Sequence, residues 1–157
     1  MSERKERLLE RLQKGMARTE ELFASLSPEQ WEQIVYINPP WTTRDLLAHF
    51  FSAEEALRYL LVDIARGGGG APEEFELDAM NAAEQARLAD VPREKLLADL
   101  IASRQQTIEF VAQLDPDLLD RVGRHPGLGE ITVETFVDAI YGHQLFHVRD
   151  LKKRLGL

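Results

Sequence analysis

The chain has 157 residues, 27 acidic against 19 basic side chains, a formal net charge of −8, four His and no Cys; with 44% hydrophobic and 29% charged residues it reads as one ordinary globular domain over residues 1–157. The absence of Cys excludes thiolate nucleophiles, disulfides, iron–sulfur clusters and Cys-based zinc sites, so any metal must be held by His and carboxylates. A pI near 5.0 offers no basic face for phosphates, no apolar stretch reaches a bilayer span and MSERKERLLERLQ lacks a signal core, so the expectation is a cytoplasmic protein with no nucleic-acid and no membrane partner.

Segment 3–26 places Leu8, Leu12, Met16, Ala17, Leu22, Phe23 and Leu26 at helical steps among Glu, Lys and Arg, the pattern of an amphipathic helix. Ser27-Pro28-Glu29-Gln30 then supplies an N-cap, a Pro at the first helical position and the capping-box Gln of a short new turn, and Asn38-Pro39-Pro40 forbids helix. Thr42-Thr43-Arg44-Asp45 offers a hydroxyl cap with an acid in the first turn of a second long helix, whose apolar positions run from Leu46 to Ile64. The Gly67–Gly70 run ends that helix as a flexible connection; a phosphate loop would need a following Lys and Ser or Thr, which are missing. Residues 74–89 read as a shorter helix, and Asp90-Val91-Pro92 restarts the chain into a third long helix over 92–114. Arg121–Glu130, with three Gly and one Pro, reads as loop. Thr132 caps a last helix over about 133–155, which ends in Arg149, Lys152, Lys153 and Arg154 before Gly156, as a helix C-terminus prefers. No strand-period run competes, so the expected fold is all-α: four long helices in one four-helix bundle.

Two of the four His share a stripe. On the last helix Phe136, Ile140, His143, His147 and Leu151 follow steps of four, four, three and four, which puts both His on the apolar, inward face. Four residues apart, their Cβ atoms are about 5–6 Å apart, a separation from which two imidazoles can reach one ion at about 2.0–2.1 Å. On the second helix Leu46, His49, Ala53, Ala56 and Leu60 form a similar stripe, with small Ala53 and Ala56 leaving room beside the His. Three inward His favour a shared metal site over three separately satisfied core His. His49 lies roughly 9 Å into its helix and His147 roughly 12 Å from the end of its own, so their levels match if these helices run antiparallel. That arrangement is an up-down-down-up bundle with a long crossover, residues 67–91, between helices two and three.

Trp41-Thr42-Thr43-Arg44-Asp45-Leu46-Leu47-Ala48-His49, followed by Tyr141-Gly142-His143-Gln144-Leu145-Phe146-His147-Val148-Arg149-Asp150-Leu151, resembles the DinB family of bacterial proteins along the whole chain, with Asn81 and the stretch after Asp90 agreeing more loosely. The resemblance implies a divalent metal on the matching His49, His143 and His147. It also implies kinship with transferases and isomerases that use bacillithiol or mycothiol, and together with the surplus apolar surface of Leu47, Phe50, Phe51, Leu57 and Leu61 it implies a homodimer.

Three neutral imidazoles leave coordination positions open on zinc, nickel, iron or manganese, so a bound water or thiol could lose its proton near neutral pH without a protein Cys or base. Gln144 stands where a zincin would carry its catalytic Glu, and paired Glu-x-x-His motifs for a di-iron site are absent. The leading expectation is a metal-dependent transferase that activates a low-molecular-weight thiol against a small-molecule electrophile. The alternatives are a metal-dependent hydrolase using bound hydroxide and a non-catalytic, stress-related metal-binding protein. Secondary candidates for substrate contact are Asn81, weighed against helix packing, Trp41, weighed with Trp31 against a packing staple, and His125, weighed against a plain surface-loop His. Glu54-Glu55 reads as part of a solvated face.

Overall fold

The computed structural model describes residues 2–157. The elements in chain order are α1 (Glu3–Ala24), α2 (Pro28–Glu32), β1 (Ile34–Tyr36), β2 (Trp41–Thr42), α3 (Thr43–Ala65), α4 (Leu77–Arg87), α5 (Arg93–Gln113), a 3-10 turn (Pro116–Asp120), β3 (Val122–His125), β4 (Gly129–Thr132) and α6 (Val133–Leu155). Side chains satisfy free N–H groups at the starts of α1, α2, α3 and α6, where Ser2, Ser27, Thr42 and Thr132 are the caps, whereas α5 follows Pro92 without one. At α2, Ser27 Oγ accepts from Gln30 N while Gln30 Oε1 accepts from Ser27 N. At α3, Thr42 and Asp45 make the same reciprocal pair, and at α6 Thr132 Oγ1 accepts from Thr135 N. Gly156, at φ 72°, closes α6 in the left-handed region.

Three sets of contacts give the direction of each long helix. Lys5, near the start of α1, donates from Nζ to the Ala112 and Leu114 carbonyls at the end of α5 at 2.8 and 2.6 Å, so α1 and α5 are antiparallel. Arg4–Glu134, Arg11–Asp138 and Thr19–Gln144 step along α1 and α6 in the same order, so these two are parallel. Leu57, Leu61 and Ile64, late in α3, pack in one apolar cluster with Val133, Phe136 and Val137, early in α6, while Leu46 and Leu47 join Val148 and Leu151 in the other. The α3 and α6 helices are therefore antiparallel, and the bundle runs up-down-down-up as the histidine levels require. Its crossover carries α4.

The structure corrects the sequence reading in three places. Two short antiparallel hairpins exist: β1 with β2, and β3 with β4 in the register Val122↔Thr132 to His125↔Gly129. Strands of two to four residues are too short to show a period of two, so Arg121–Glu130 reads as loop although it is mostly hairpin. The Gly run is also held rather than free. Arg124 N donates to Gly69 O, Ala71 N donates to Arg124 O, and Gly70 N donates to Asp63 Oδ2, with Gly67 and Gly70 at φ 100° and 83°, where other residues would be strained. A Cβ on Gly123 would run into Ile64, so β3 lies directly against the end of α3.

The third correction is Glu54, which is 3% exposed. Its carboxylate accepts from Arg104 Nε at 3.0 Å, Arg104 Nη2 at 2.8 Å and Thr107 Oγ1 at 2.8 Å, while Arg104 Nη1 donates to Leu12 O at 3.1 Å. This bidentate pair ties α1, α3 and α5 together at mid-height. Glu54→Gln should cost about 3–5 kcal/mol in urea unfolding because it leaves Arg104 buried without a countercharge, whereas Glu54→Leu with Arg104→Met should recover most of that loss. A double variant as unstable as the sum of its singles would contradict this account.

Candidate metal centre

The spacing of four on α6 sets His143 and His147 one above the other, and the antiparallel α3 brings His49 level with both. Ring centroids are 4.9 Å apart for His49 and His143, 5.4 Å for His49 and His147, and 4.7 Å for His143 and His147. One nitrogen from each ring lies within 4.8 Å of the others, and Nε2 of His49 and Nε2 of His143 face each other at 3.0 Å. Two ligands at about 2.0–2.1 Å from one ion are about 2.9–3.4 Å apart for angles between octahedral and tetrahedral; the His49–His143 separation meets that range, and His147 offers a third nitrogen within 4.8 Å of both, a group that could hold one divalent ion.

Burial keeps the rings neutral, as metal ligands must be. It pushes His49 down to about 4, with His147 acting in the same direction, and His143 down to about 3, with His49, His147 and His125 adding to the effect. His147 is also lowered by burial, against the pull of the Asp150 carboxylate.

A second layer orients His147. Tyr36 O–H donates to Asp150 Oδ2 at 2.5 Å, and its oxygen lies 2.7 Å from His147 Nδ1. The hydroxyl has one hydrogen, so with that hydrogen on Asp150 the oxygen accepts from Nδ1–H; this network assigns the tautomer and leaves Nε2 of His147 as the lone-pair nitrogen. Burial and the Asp150 hydrogen bond raise the Tyr36 hydroxyl above its ordinary value, which keeps it protonated. Sequence reasoning missed both residues. Asp150 carries a local signal, three positions after His147 on the same face, but Tyr36 arrives from β1 and has none.

Above the three His opens a chamber of about 350 Å³. Its walls are Ala53, Ala56, Leu57 and Leu60 of α3; Phe75, Leu77, Met80 and Asn81 around α4; and His125, Pro126 and Gly127 at the hairpin tip. Ala53 and Ala56 leave this space, as their position beside His49 predicts. Trp41 forms the rim, its ring 4.9 Å from that of His49. The three secondary candidates Trp41, Asn81 and His125 thus all line the chamber, whereas Trp31 is buried and stacked on Phe23 at 5.4 Å. A more open groove of about 870 Å³ adjoins the chamber; it shares Trp41 and Asn81 and is bordered by Arg44, Asp45, Asp78 and Gln85. Arg44 donates to the Leu88 and Val91 carbonyls, which holds the end of the crossover in place.

The family model of the DinB superfamily matches residues 9–151. The chain belongs to the DinB superfamily. Among solved structures, YfiT from Bacillus subtilis, described as a probable metal-dependent hydrolase with an unusual four-helix bundle topology, aligns with a TM-score of 0.75 at 16% identity over 99% of this chain and 90% of YfiT. ClbS, a colibactin self-resistance protein crystallised in complex with a dsDNA, aligns with a TM-score of 0.71 at 18% identity over 95% of each chain. No curated protein matches the chain by sequence.

The ClbS complex overturns the expectation of no nucleic-acid partner, because this fold is compatible with a bound duplex. The exclusion rested on net charge, which is a sum over the molecule, whereas binding depends on local charge. This DinB superfamily chain carries exposed Arg149, Lys152, Lys153 and Arg154 together at the end of α6 despite its overall charge of −8. Among the described residues no helix is long and apolar enough to cross a membrane.

The depressed His values set a pH window. The unfolded chain protonates its His near the ordinary value of about 6.5, and the folded cluster does so only near 4 for His49 and near 3 for His143. The cluster's contribution to stability is therefore fully present above about pH 6.5 and is lost progressively as pH falls toward those values. Urea unfolding of chelator-treated protein between pH 7.5 and 4 should show a smaller loss for His143→Phe than for the unaltered chain. Equal losses would contradict the burial of the cluster.

Proposed function

We propose that this DinB superfamily protein is a metal-dependent transferase in which His49, His143 and His147 hold one divalent ion, from among zinc, nickel, iron and manganese. A low-molecular-weight thiol of the bacillithiol or mycothiol type loses its proton to solvent and bonds through sulfur to an electrophilic carbon in the chamber, as the leaving group departs from that carbon with the bonding electrons. A divalent ion with open positions lowers the pKa of a bound thiol or water toward neutrality. The observation that carries the reading is the convergence of three neutral imidazoles on a chamber that, among the described residues, is lined by no Asp, Glu, Lys or Arg, in a chain without Cys. Among the described residues Ser52 is the one lining hydroxyl, and its hydrogen is committed to the His49 carbonyl at 3.1 Å. The site thus offers neither a protein nucleophile nor a carboxylate base, and a nucleophile brought from outside supplies what is missing.

The chain's own residues divide the work. The triad fixes the position of the nucleophile, and Tyr36 with Asp150 holds His147 in the ligating tautomer. Trp41 and Asn81 stand between the chamber and the polar groove, which is roomy enough for the headgroup of a thiol cosubstrate. A second reading, hydrolysis of the same electrophile by water, is favoured by the description of YfiT as a probable metal-dependent hydrolase.

Metal-loaded protein offered monobromobimane with bacillithiol, mycothiol, glutathione or coenzyme A separates these readings. Transfer predicts conjugate formation that depends on both metal and one thiol, with His143→Ala folded and inactive. Electrophile consumption that does not depend on thiol would favour hydrolysis, and no turnover with any thiol or with water would contradict an enzymatic role. Tyr36→Phe should lower metal affinity about 10- to 100-fold by competition with a chromogenic chelator while leaving the fold intact. An unchanged affinity would remove Tyr36 from the site's support.

A further inference from the structure

The β3–β4 hairpin places His125 in the chamber wall, and its hydrogen bonds determine what that ring can do. Nδ1 of His125 accepts from the backbone N–H groups of Gly127 at 3.0 Å and Leu128 at 3.1 Å. A nitrogen that accepts in this way carries no proton, so the two bonds assign the ring proton of neutral His125 to Nε2. The ring packs against Phe136, with centroids 4.9 Å apart, and the strand pair His125↔Gly129 closes the turn that supplies both donors. Nδ1 is thereby occupied, and His125 has no free basic nitrogen to offer the chamber. Nε2–H is a donor with no partner among the described residues.

The rest of the chamber limits what can meet that donor. Among the described residues its walls are apolar apart from the triad, Ser52, Asn81 and His125, and no charged side chain lines it. In the metal-free chamber an ionised group on the body of a ligand would meet no countercharge from any lining side chain, which is strongly disfavoured at a desolvated site. An uncharged apolar body is favoured by burial of its surface against Leu57, Leu60, Phe75 and Met80.

We infer that the chamber selects an uncharged, apolar carbonyl compound and that His125 Nε2–H holds its carbonyl oxygen as a fixed hydrogen-bond donor. For turnover this rests on the metal-dependent reading above, in which a donor already in place stabilises charge developing on that oxygen. For binding it stands on the chamber and hairpin alone. The two claims can therefore fail separately.

The test uses three fluorescent naphthalenes with the full-length protein, both chelator-treated and loaded with zinc: the ketone 6-propionyl-2-(dimethylamino)naphthalene, the carboxylate 6-(dimethylamino)-2-naphthoate, and 2-(dimethylamino)naphthalene, which has no acceptor oxygen. In chelator-treated protein the ketone should bind at least about tenfold more tightly than the carboxylate. His125→Phe keeps an aromatic ring against Phe136 but removes the donor. It should weaken ketone binding about three- to tenfold and leave the acceptor-free amine unchanged, the size expected of one neutral hydrogen bond. Nitrogen-15 NMR of the unaltered protein gives a check that needs no variant: Nδ1 of His125 should resonate as the unprotonated ring nitrogen. Carboxylate binding as tight as ketone binding, equal losses of ketone and amine in His125→Phe, or a protonated Nδ1 would each overturn the inference. Loss of zinc binding with this probe pattern intact would overturn the metal reading instead.

Discussion

The antiparallel pairing of α3 with α6 is the constraint on which the site depends. His143 and His147 share a face of α6 through local helical geometry, but His49 reaches their level only because α3 descends where α6 rises. Helix α5 descends beside α3, so the chain must return along the bundle between them, and the crossover that does this carries α4 and Asn81 over the three imidazoles. The same topological requirement therefore assembles the donors and roofs the chamber above them. The DinB superfamily chain then completes that roof with the β3–β4 hairpin, which lies so close to the end of α3 that Gly123 has no room for a side chain.

Charge is distributed in keeping with this arrangement. Where the chain buries full charges it gives each several partners: Glu54 and Arg104 pair bidentately with Thr107 and the Leu12 carbonyl beside them, and Lys5 donates to the Ala112 and Leu114 carbonyls. Where it needs reactivity, around the His cluster, it keeps full charges off the chamber wall and lets burial hold the imidazoles neutral. Asp150 acts on His147 through the Tyr36 hydroxyl, so the ring gains orientation without a carboxylate entering the chamber. His125 follows the same pattern, with its basic nitrogen occupied by backbone N–H groups and its donor left for the chamber.

Much of this is legible in the sequence because it is local. Caps at Ser27, Thr42 and Thr132 and the stripes through His49, His143 and His147 depend on neighbours within one or two turns, and they mark the helices and the inward imidazoles directly. Tyr36 is not legible, since nothing near it in sequence points to Asp150, 114 positions away. Glu54 reads as solvated because its partner Arg104 lies on another helix, and the β3–β4 hairpin reads as loop because four-residue strands show no period. Net charge failed for a different reason: a sum over 157 residues does not describe the local field at any one surface, and ClbS shows that this fold accommodates DNA.

The central claim is that three imidazole nitrogens, one from α3 and two from α6, converge on one divalent ion. X-ray absorption at the metal edge of the zinc-loaded protein tests it most directly. The account predicts three imidazole ligands at about 2.0–2.1 Å with the multiple scattering of histidine rings, falling to two in His49→Ala. A spectrum without histidine scattering, or one that His49→Ala leaves unchanged, would contradict it.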